Sequence, residues 1–181
     1  IGSDFKGAVL IFDGVDYKKA DLPLKLRFNR ETQHSFVFNT PLIVNELREY
    51  GWETSSGLSK VQAETITITN HGSKVIAQYT NLEKADVTFD QQGIGLDYDQ
   101  PVLVVDGVSL KRSDLPRSFR WIVGSDHSYT YNSPFVINLM KTYNWGSTEG
   151  LSTLKTNNYN VVSGGGKITG KYVIETPPSY A

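Results

Sequence analysis

Apolar and polar residues alternate along most of this chain, and this period of two predicts β-strands. The alternation is clear at residues 24–28 and 35–39, where leucine or phenylalanine occupies every second position. Such a pattern is typical of a strand with one face buried and the other in water. Pro41 then ends the second run or confines it to a sheet edge.

Turn-forming residues separate these runs. Asp13-Gly14 lies between apolar residues 9–12 and 15–17, which predicts a β-hairpin with a tight type I′ turn. Residues 65–68 and 74–79 are predicted to form a second hairpin through a turn at 70–72, and residues 163–166 supply the corresponding turn later in the chain.

A helix is the competing interpretation for residues 42–50, where Leu42, Ile43, Leu47 and Tyr50 recur at helical spacing. The β-branched pair at 43–44 and the alternation that continues through Trp52 favour strands instead. We therefore expect strands here as well.

The chain contains an internal repeat. His34 to Pro41 reads HSFVFNTP and residues 127–134 read HSYTYNSP, and a shift of 93 positions pairs residues 1–79 with 94–172 without a gap. About 26 of the 79 pairs are identical, including Arg27 with Arg120 and Lys74 with Lys167, which indicates one structural unit written twice.

The repeat predicts an all-β protein of two tandem antiparallel β-sandwich domains, Ig-like or jelly-roll-like, over residues 1–84 and 85–181. Residues 87–89 read as a strand immediately before the second copy, whereas the first copy begins at Ile1. We therefore expect the first domain to lack one strand in this chain. An open edge should then lie beside residues 9–12, to be filled by upstream residues or by a neighbouring subunit.

Composition narrows the function. The chain has 181 residues, a net charge of −1 from 18 basic and 19 acidic residues, and no cysteine. This balance argues against a nucleic-acid partner, which would select a strongly basic face. The absence of cysteine removes disulfides and thiolate zinc sites. No run of 18 apolar residues exists, so no membrane contact is expected.

We interpret the residues that could take part in catalysis or metal binding as structural. His34 and His127 occupy equivalent positions, and Asp21 and Asp114 each precede Leu-Pro, where an Asx-type turn is expected. The acids at 90, 97 and 99 lack the spacing of a calcium loop. The tryptophans admit a carbohydrate-binding interpretation, but the repeat favours core positions. We expect no catalytic residue, no cofactor and no metal.

Interaction residues are expected where the two copies differ, because loops on a rigid β-scaffold commonly carry binding. The candidates are Asn29, Arg30, Glu31, Thr32, Gln33, Ile122, Val123, Gly124, Ser125, Asp126, Asn70, His71, Ser73, Ser163, Gly164 and Gly166.

Residues 87–95, Asp106-Gly107, 114–116 and Gly150-Leu151, with the aromatic positions between them, resemble a tandem β-domain of extracellular proteins of thermoacidophilic archaea. These include surface-layer-associated and thermopsin-like secreted proteins, and turret or spike proteins of viruses that infect such cells. The resemblance covers residues 87–172 well and the first copy less closely.

The resemblance implies a non-enzymatic structural or attachment module, located on a virion surface or outside the cell. Its partners would be other structural subunits or a host surface, in an oligomeric assembly. A ligand- or carbohydrate-binding accessory domain of a secreted hydrolase is the alternative.

Overall fold

The structure is a computed structural model of the chain, and it describes residues 1–69, 72 and 74–176. The described residues form strands and two short 3-10 turns, Lys19–Asp21 and Arg112–Asp114. None of them belongs to an α-helix, so no helix in that part of the chain has the length and apolar character to cross a membrane. The strands are β1 (Ala8–Phe12), β2 (Val15–Lys18), β3 (Gln33–Phe38), β4 (Leu42–Asn45), β5 (Arg48–Gly57), β6 (Ala63–Thr67), β7 (Val75–Gln92), β8 (Pro101–Val105), β9 (Val108–Lys111), β10 (Arg117–Ile122), β11 (Asp126–Tyr131), β12 (Phe135–Asn138), β13 (Lys141–Gly150), β14 (Thr156–Asn160) and β15 (Gly166–Glu175).

The chain divides into two compact units, Ile1–Glu83 (unit 1) and Lys84–Ala181 (unit 2). In unit 1, one sheet has the strand order β2-β1-β3-β6, and a second sheet joins β4, β5 and residues 75–83 of β7. All these pairings are antiparallel.

Unit 2 repeats this plan with two strands more, residues 84–92 of β7 and β10. One sheet has the order β9-β8-β11-β14, which matches the first sheet of unit 1. The other has the order β12-β13-β15 and continues through residues 84–92 of β7 to β10. The pairing of β15 with β7 is parallel, so this sheet is mixed.

The predicted hairpin at Asp13-Gly14 is confirmed, because β1 pairs with β2 across that turn. Asp13 and Gly14 have φ values of 47° and 79°, the left-handed conformations that a type I′ turn requires. The strand interpretation of residues 42–50 is also confirmed, since β4 and β5 pair there instead of forming a helix.

Asp21 and Asp114 hold turns, although by a different hydrogen bond from that of the expected Asx-type turn. Each carboxylate accepts a 2.8 Å hydrogen bond from the backbone N–H three residues earlier, at Lys18 and Lys111. Each thereby caps a 3-10 turn ahead of a Leu-Pro pair.

Two predictions about strands are wrong. β6 pairs with β3 and β7 pairs with β5, so residues 65–68 and 74–79 lie in different sheets and do not form a hairpin. The corresponding β14 and β15 are likewise in different sheets. Residues 24–28 form no strand in unit 1, although the equivalent residues of unit 2 form β10.

The cores of the two units differ accordingly. In unit 2 the buried side chains of both sheets form one cluster, which includes Val87 and Phe89 of β7 and Tyr131 of β11. In unit 1 the described buried residues form two smaller clusters, one around Val9 and one around Phe36. Side chains of residues 84–92 therefore belong to the single core cluster of unit 2.

Candidate interaction site

The predicted loop of unit 1 at residues 29–33 is fastened to the end of β6. The Glu31 N–H donates to the carbonyl of Ile68, and the Ile68 N–H donates to that of Thr32, both at 2.9 Å. The Thr32 hydroxyl donates to the carbonyl of Asn29 at 2.7 Å, and Gln33 begins β3. Hydrogen bonds therefore hold the backbone of this loop, while several of its side chains remain exposed.

The loop of unit 2 at residues 122–126 is fastened in the same manner. The Gly124 N–H donates to the carbonyl of Val161, and the Val161 N–H donates to that of Ser125. Asn160 adds hydrogen bonds to Gly124 and to the Asp126 carboxylate, both at 2.9 Å.

The second set of predicted loops follows directly from these strand ends. In unit 2, the turn with Ser163, Gly164 and Gly166 begins two residues after Val161, so it lies beside the 122–126 loop. In unit 1, Asn70, His71 and Ser73 lie outside the described residues.

His34 and His127 each lie in a hydrogen-bonded chain that resembles a catalytic triad. His127 Nδ1 is 2.7 Å from the Asp106 carboxylate, and its Nε2 is 2.9 Å from the Ser125 hydroxyl. Unit 1 repeats the chain, with His34 Nδ1 2.6 Å from Asp13 and Nε2 2.9 Å from Thr32.

The orientation of the hydroxyls favours a structural role. A hydroxyl has one proton, and Ser125 directs it to the carbonyl of Ile122 at 2.5 Å instead of to the His127 ring. The His127 ring also stacks on Trp121, with centroids 3.7 Å apart. In unit 1 the hydrogen bond from His34 lowers the pKa of Asp13.

Other acids pair with neighbouring side chains. Asp97 accepts hydrogen bonds from Lys141 at 2.8 Å and from Tyr143 at 2.7 Å, and these bonds lower its pKa. Asp4 accepts from Tyr50 and Arg48 at the equivalent place, with the same effect on its pKa. No three His, Cys, Asp or Glu side chains of the described residues converge as a metal site would require.

The tryptophans are half-buried and contact the cores. Trp121 and Trp145 pack against the cluster of unit 2, and Trp52 packs against the cluster around Phe36. The indole N–H of Trp52 donates to Ser55, and that of Trp145 donates to Thr148, both at 3.0 Å. These contacts match the core positions expected from the repeat.

Residues 84–92 lie between two strands of unit 2, and we call them the inserted strand. They pair antiparallel with β10, with Phe89 opposite Arg117, and residues 87–92 pair parallel with β15, with Phe89 opposite Ile168. Ala85, Val87 and Phe89 point to one face, and each is no more than 2% exposed.

The opposite face of the inserted strand is acidic and meets two cations. Arg120 holds Asp86 through two hydrogen bonds of 2.9 and 3.0 Å, which lower the pKa of that carboxyl. Lys167 lies 2.7 Å from Asp90.

Two further contacts fix the backbone of the inserted strand. The Tyr131 hydroxyl is 2.7 Å from the carbonyl oxygen of Asp90. Gly165 has φ of +61°, and a Cβ there would lie 2.1 Å from the carbonyl oxygen of Asp86, so only glycine fits.

Unit 1 has an open groove at the corresponding place, of about 1440 Å³, which we call the strand groove. Its walls come from residues 22–28 on one side and 74–79 on the other, above β1 and β3. Apolar side chains dominate its lining, and the ones used below are Leu24, Leu26, Phe28, Val75, Ile76 and Ala77.

Equivalent positions show how open the strand groove is. Ile76 is 48% exposed, whereas Thr169 at the same place in unit 2 is 5% exposed. Val75 is half-buried, whereas Ile168 is fully buried. The inserted strand covers these positions in unit 2.

The position expected for the open edge is corrected by this geometry. β1 pairs with β2 on one side and β3 on the other, so no edge is open beside residues 9–12. The opening lies between residues 24–28 and 74–79. Arg27 and Lys74 line it, and their identity with Arg120 and Lys167 in the repeat was the signal that could have located it.

No family model, no curated protein and no solved structure matches this chain.

Proposed function

We propose that the chain is a non-enzymatic structural and attachment module of a virion turret or an archaeal cell-surface stalk, built as two tandem β-sandwiches, the second of which includes one parallel strand pair. The observation that carries this proposal is β7. Every residue from Val75 to Gln92 belongs to one strand, whose first half ends the second sheet of unit 1 and whose second half belongs to unit 2. A repeated unit in which one strand serves two copies suits serial assembly.

The chemistry of the described side chains supports the same proposal. The two Asp-His-hydroxyl chains are duplicated at equivalent positions and direct their hydroxyl protons to backbone carbonyls. Duplication of this kind serves a scaffold, because both units use it to fasten a loop to a neighbouring hairpin turn.

In this proposal, partner contact involves the loops that differ between the units, residues 29–33 and 122–126. Both loops have a hydrogen-bonded base and exposed side chains, which allows their sequences to change without a change of fold.

Immunoelectron microscopy with antibodies against the chain tests the location. The proposal expects gold label on virion projections or on the cell envelope. Label confined to a secreted hydrolase would instead support an accessory ligand-binding domain, and label confined to the cell interior would contradict both.

Exchange of the two loops tests the attachment surface. A chain in which residues 29–33 and 122–126 are exchanged should keep its melting temperature and lose attachment to the target surface. Exchange of residues 46–47 with 139–140, at the equivalent exposed turns between β4 and β5 and between β12 and β13, provides a matched control that should keep attachment. Unchanged attachment after the loop exchange would contradict the assignment of these loops.

A further inference from the structure

We propose that the strand groove of unit 1 binds an extended strand donated by another protein, with the side-chain pattern of residues 84–92. That pattern places Ala85, Val87 and Phe89 at alternate positions on one face, with the carboxylates of Asp86 and Asp90 on the other.

The backbone on both sides of the strand groove can pair with such a strand. Among the described residues, 75–83 of β7 pair with β5 along one edge only, and residues 24–28 pair with no strand. An unpaired edge exposes N–H and C=O groups that another chain can satisfy by β-strand addition.

Unit 2 defines the direction and register of the bound strand. The inserted strand runs parallel to β15 and antiparallel to β10. Phe89 lies opposite Ile168 and Arg117, and the residues 93 positions earlier are Val75 and Leu24. The donor residue that corresponds to Phe89 would therefore lie between Val75 and Leu24. The donor strand would thus run parallel to residues 75–78 of β7.

The apolar lining supplies the driving force for binding. Leu26 and Ile76 are 43% and 48% exposed, and the groove also includes the half-buried Val75. Apolar surface that leaves water contributes roughly 25 cal/mol per Å². A strand with alternating apolar residues would cover these side chains and extend the two core clusters of unit 1, which already share contacts with Leu22 and Tyr79.

Charge complementarity selects an acidic outer face on the donor. Arg27 and Lys74 occupy the positions of Arg120 and Lys167, which bind Asp86 and Asp90 of the inserted strand. Both cations line the groove of unit 1.

Glycine 72 provides a third, independent match. Its counterpart Gly165 contacts the Asp86 carbonyl so closely that a Cβ would lie 2.1 Å away. A Cβ at Gly72 meets none of the described atoms within 4 Å. Unit 1 thus retains a glycine where only a bound strand would require one.

The groove differs from its counterpart in ways that determine its specificity. Phe28 replaces Trp121, which lies opposite Ala85, and Leu26 replaces Phe119, which lies opposite Val87. The smaller side chains leave room for a donor residue larger than alanine at the first of these positions.

Binding of a synthetic peptide tests the proposal. The probe is Lys-Ala-Asp-Val-Thr-Phe-Asp-Gln-Gln, the sequence of residues 84–92, added to the full chain. We expect saturable binding by calorimetry and a higher melting temperature. Unit 2 should not take up the peptide, because its own strand is covalently attached and therefore present at a high effective concentration.

Charge exchange identifies the groove as the binding site. Arg27→Glu should weaken peptide binding about tenfold or more, as expected for the loss of a charge-assisted hydrogen bond. A peptide with lysine at the position of Asp86 should bind this variant better than it binds the unchanged chain. Lys60→Glu makes the same change of charge on an exposed residue outside the groove and should bind like the unchanged chain.

A backbone variant and a fused strand provide further tests. Gly72→Ala should fold normally and bind the peptide at least tenfold more weakly. Fusion of the peptide and one glycine before Ile1 reproduces the arrangement of residues 84–93, and it should raise the melting temperature and abolish binding of added peptide.

Several results would overturn the proposal. These are no saturable binding, equal binding of a scrambled peptide, or no effect of Arg27→Glu and Gly72→Ala. Concentration-dependent oligomers that persist in excess peptide would show instead that a different face of a second copy covers the groove.

Discussion

Phe89→Ala should destabilise unit 2 strongly, because the Phe89 ring lies at the centre of its core. The side chain is 1% exposed, and its ring contacts those of Phe119, Trp121 and Tyr129 at centroid distances of 5.4 to 6.1 Å. Truncation of a buried phenylalanine costs about 3 to 5 kcal/mol, from lost burial and from the cavity that remains. The upper half of this range is expected, since two sheets contribute to the surrounding cluster.

Urea unfolding followed by tryptophan fluorescence measures this effect. In a Trp52→Phe background, Trp121 and Trp145 both lie in unit 2, so the signal reports that unit alone. With a urea m-value of about 2 kcal/mol/M, a loss of about 4 kcal/mol lowers the midpoint by about 2 M.

Leu139→Ala provides the matched control for Phe89→Ala. Leu139 belongs to the same unit and is 92% exposed, so its truncation should change the unfolding free energy by less than about 0.5 kcal/mol. Similar midpoints for the two variants would refute the claim that the inserted strand completes the core of unit 2.

Three further predictions follow from titration and backbone geometry. Burial raises the pKa of Tyr79 to about 12, so the stability it contributes is complete below pH 10 and is lost as pH rises through 12. A phenolate absorbance titration of Tyr79→Phe against the unchanged chain should lack one late-titrating group, and identical curves would contradict this. Hydrogen bonds from His34 and Lys141 lower the pKa values of Asp13 and Asp97, so the stability these acids contribute is present above about pH 3.8 and is lost at lower pH. Thermal melts should show a lower midpoint at pH 3 than at pH 7, and an unchanged midpoint would contradict the role given to these two carboxylates. Gly165→Ala should lower the melting temperature of unit 2, because its Cβ would meet the inserted strand; an unchanged melt would show that the loop adjusts freely.

Structure that depends on neighbouring residues, such as turns and single strands, is predictable from this sequence. Asp13 and Gly14 specify this hairpin because few residue pairs adopt the backbone conformations of its turn, so this pair is enough to predict the hairpin. The strands at 42–57 were also predictable, because the alternation through Tyr50 and Trp52 extends beyond the ambiguous helical spacing.

The pairing of strands that are distant in the chain is not predictable from local sequence. A turn joins β6 to β7, but whether the two strands pair depends on which sheet buries each of them, and the sequence of the turn does not encode this. Residues 24–28 carry the alternation of a strand, but a strand requires a hydrogen-bonded partner, and in unit 2 that partner is the inserted strand. The same long-range dependence hid the strand groove, whose walls lie about 50 residues apart in the chain.

Hydrogen exchange of the backbone amides, with and without the peptide of residues 84–92, tests the strand groove most directly. Our account predicts slower exchange on peptide binding at residues 24–28 and 74–79, with no change at the equivalent residues of β10 and β15, which are already paired. Protection confined to the loops at 29–33 or 122–126, or no protection anywhere in unit 1, would contradict it.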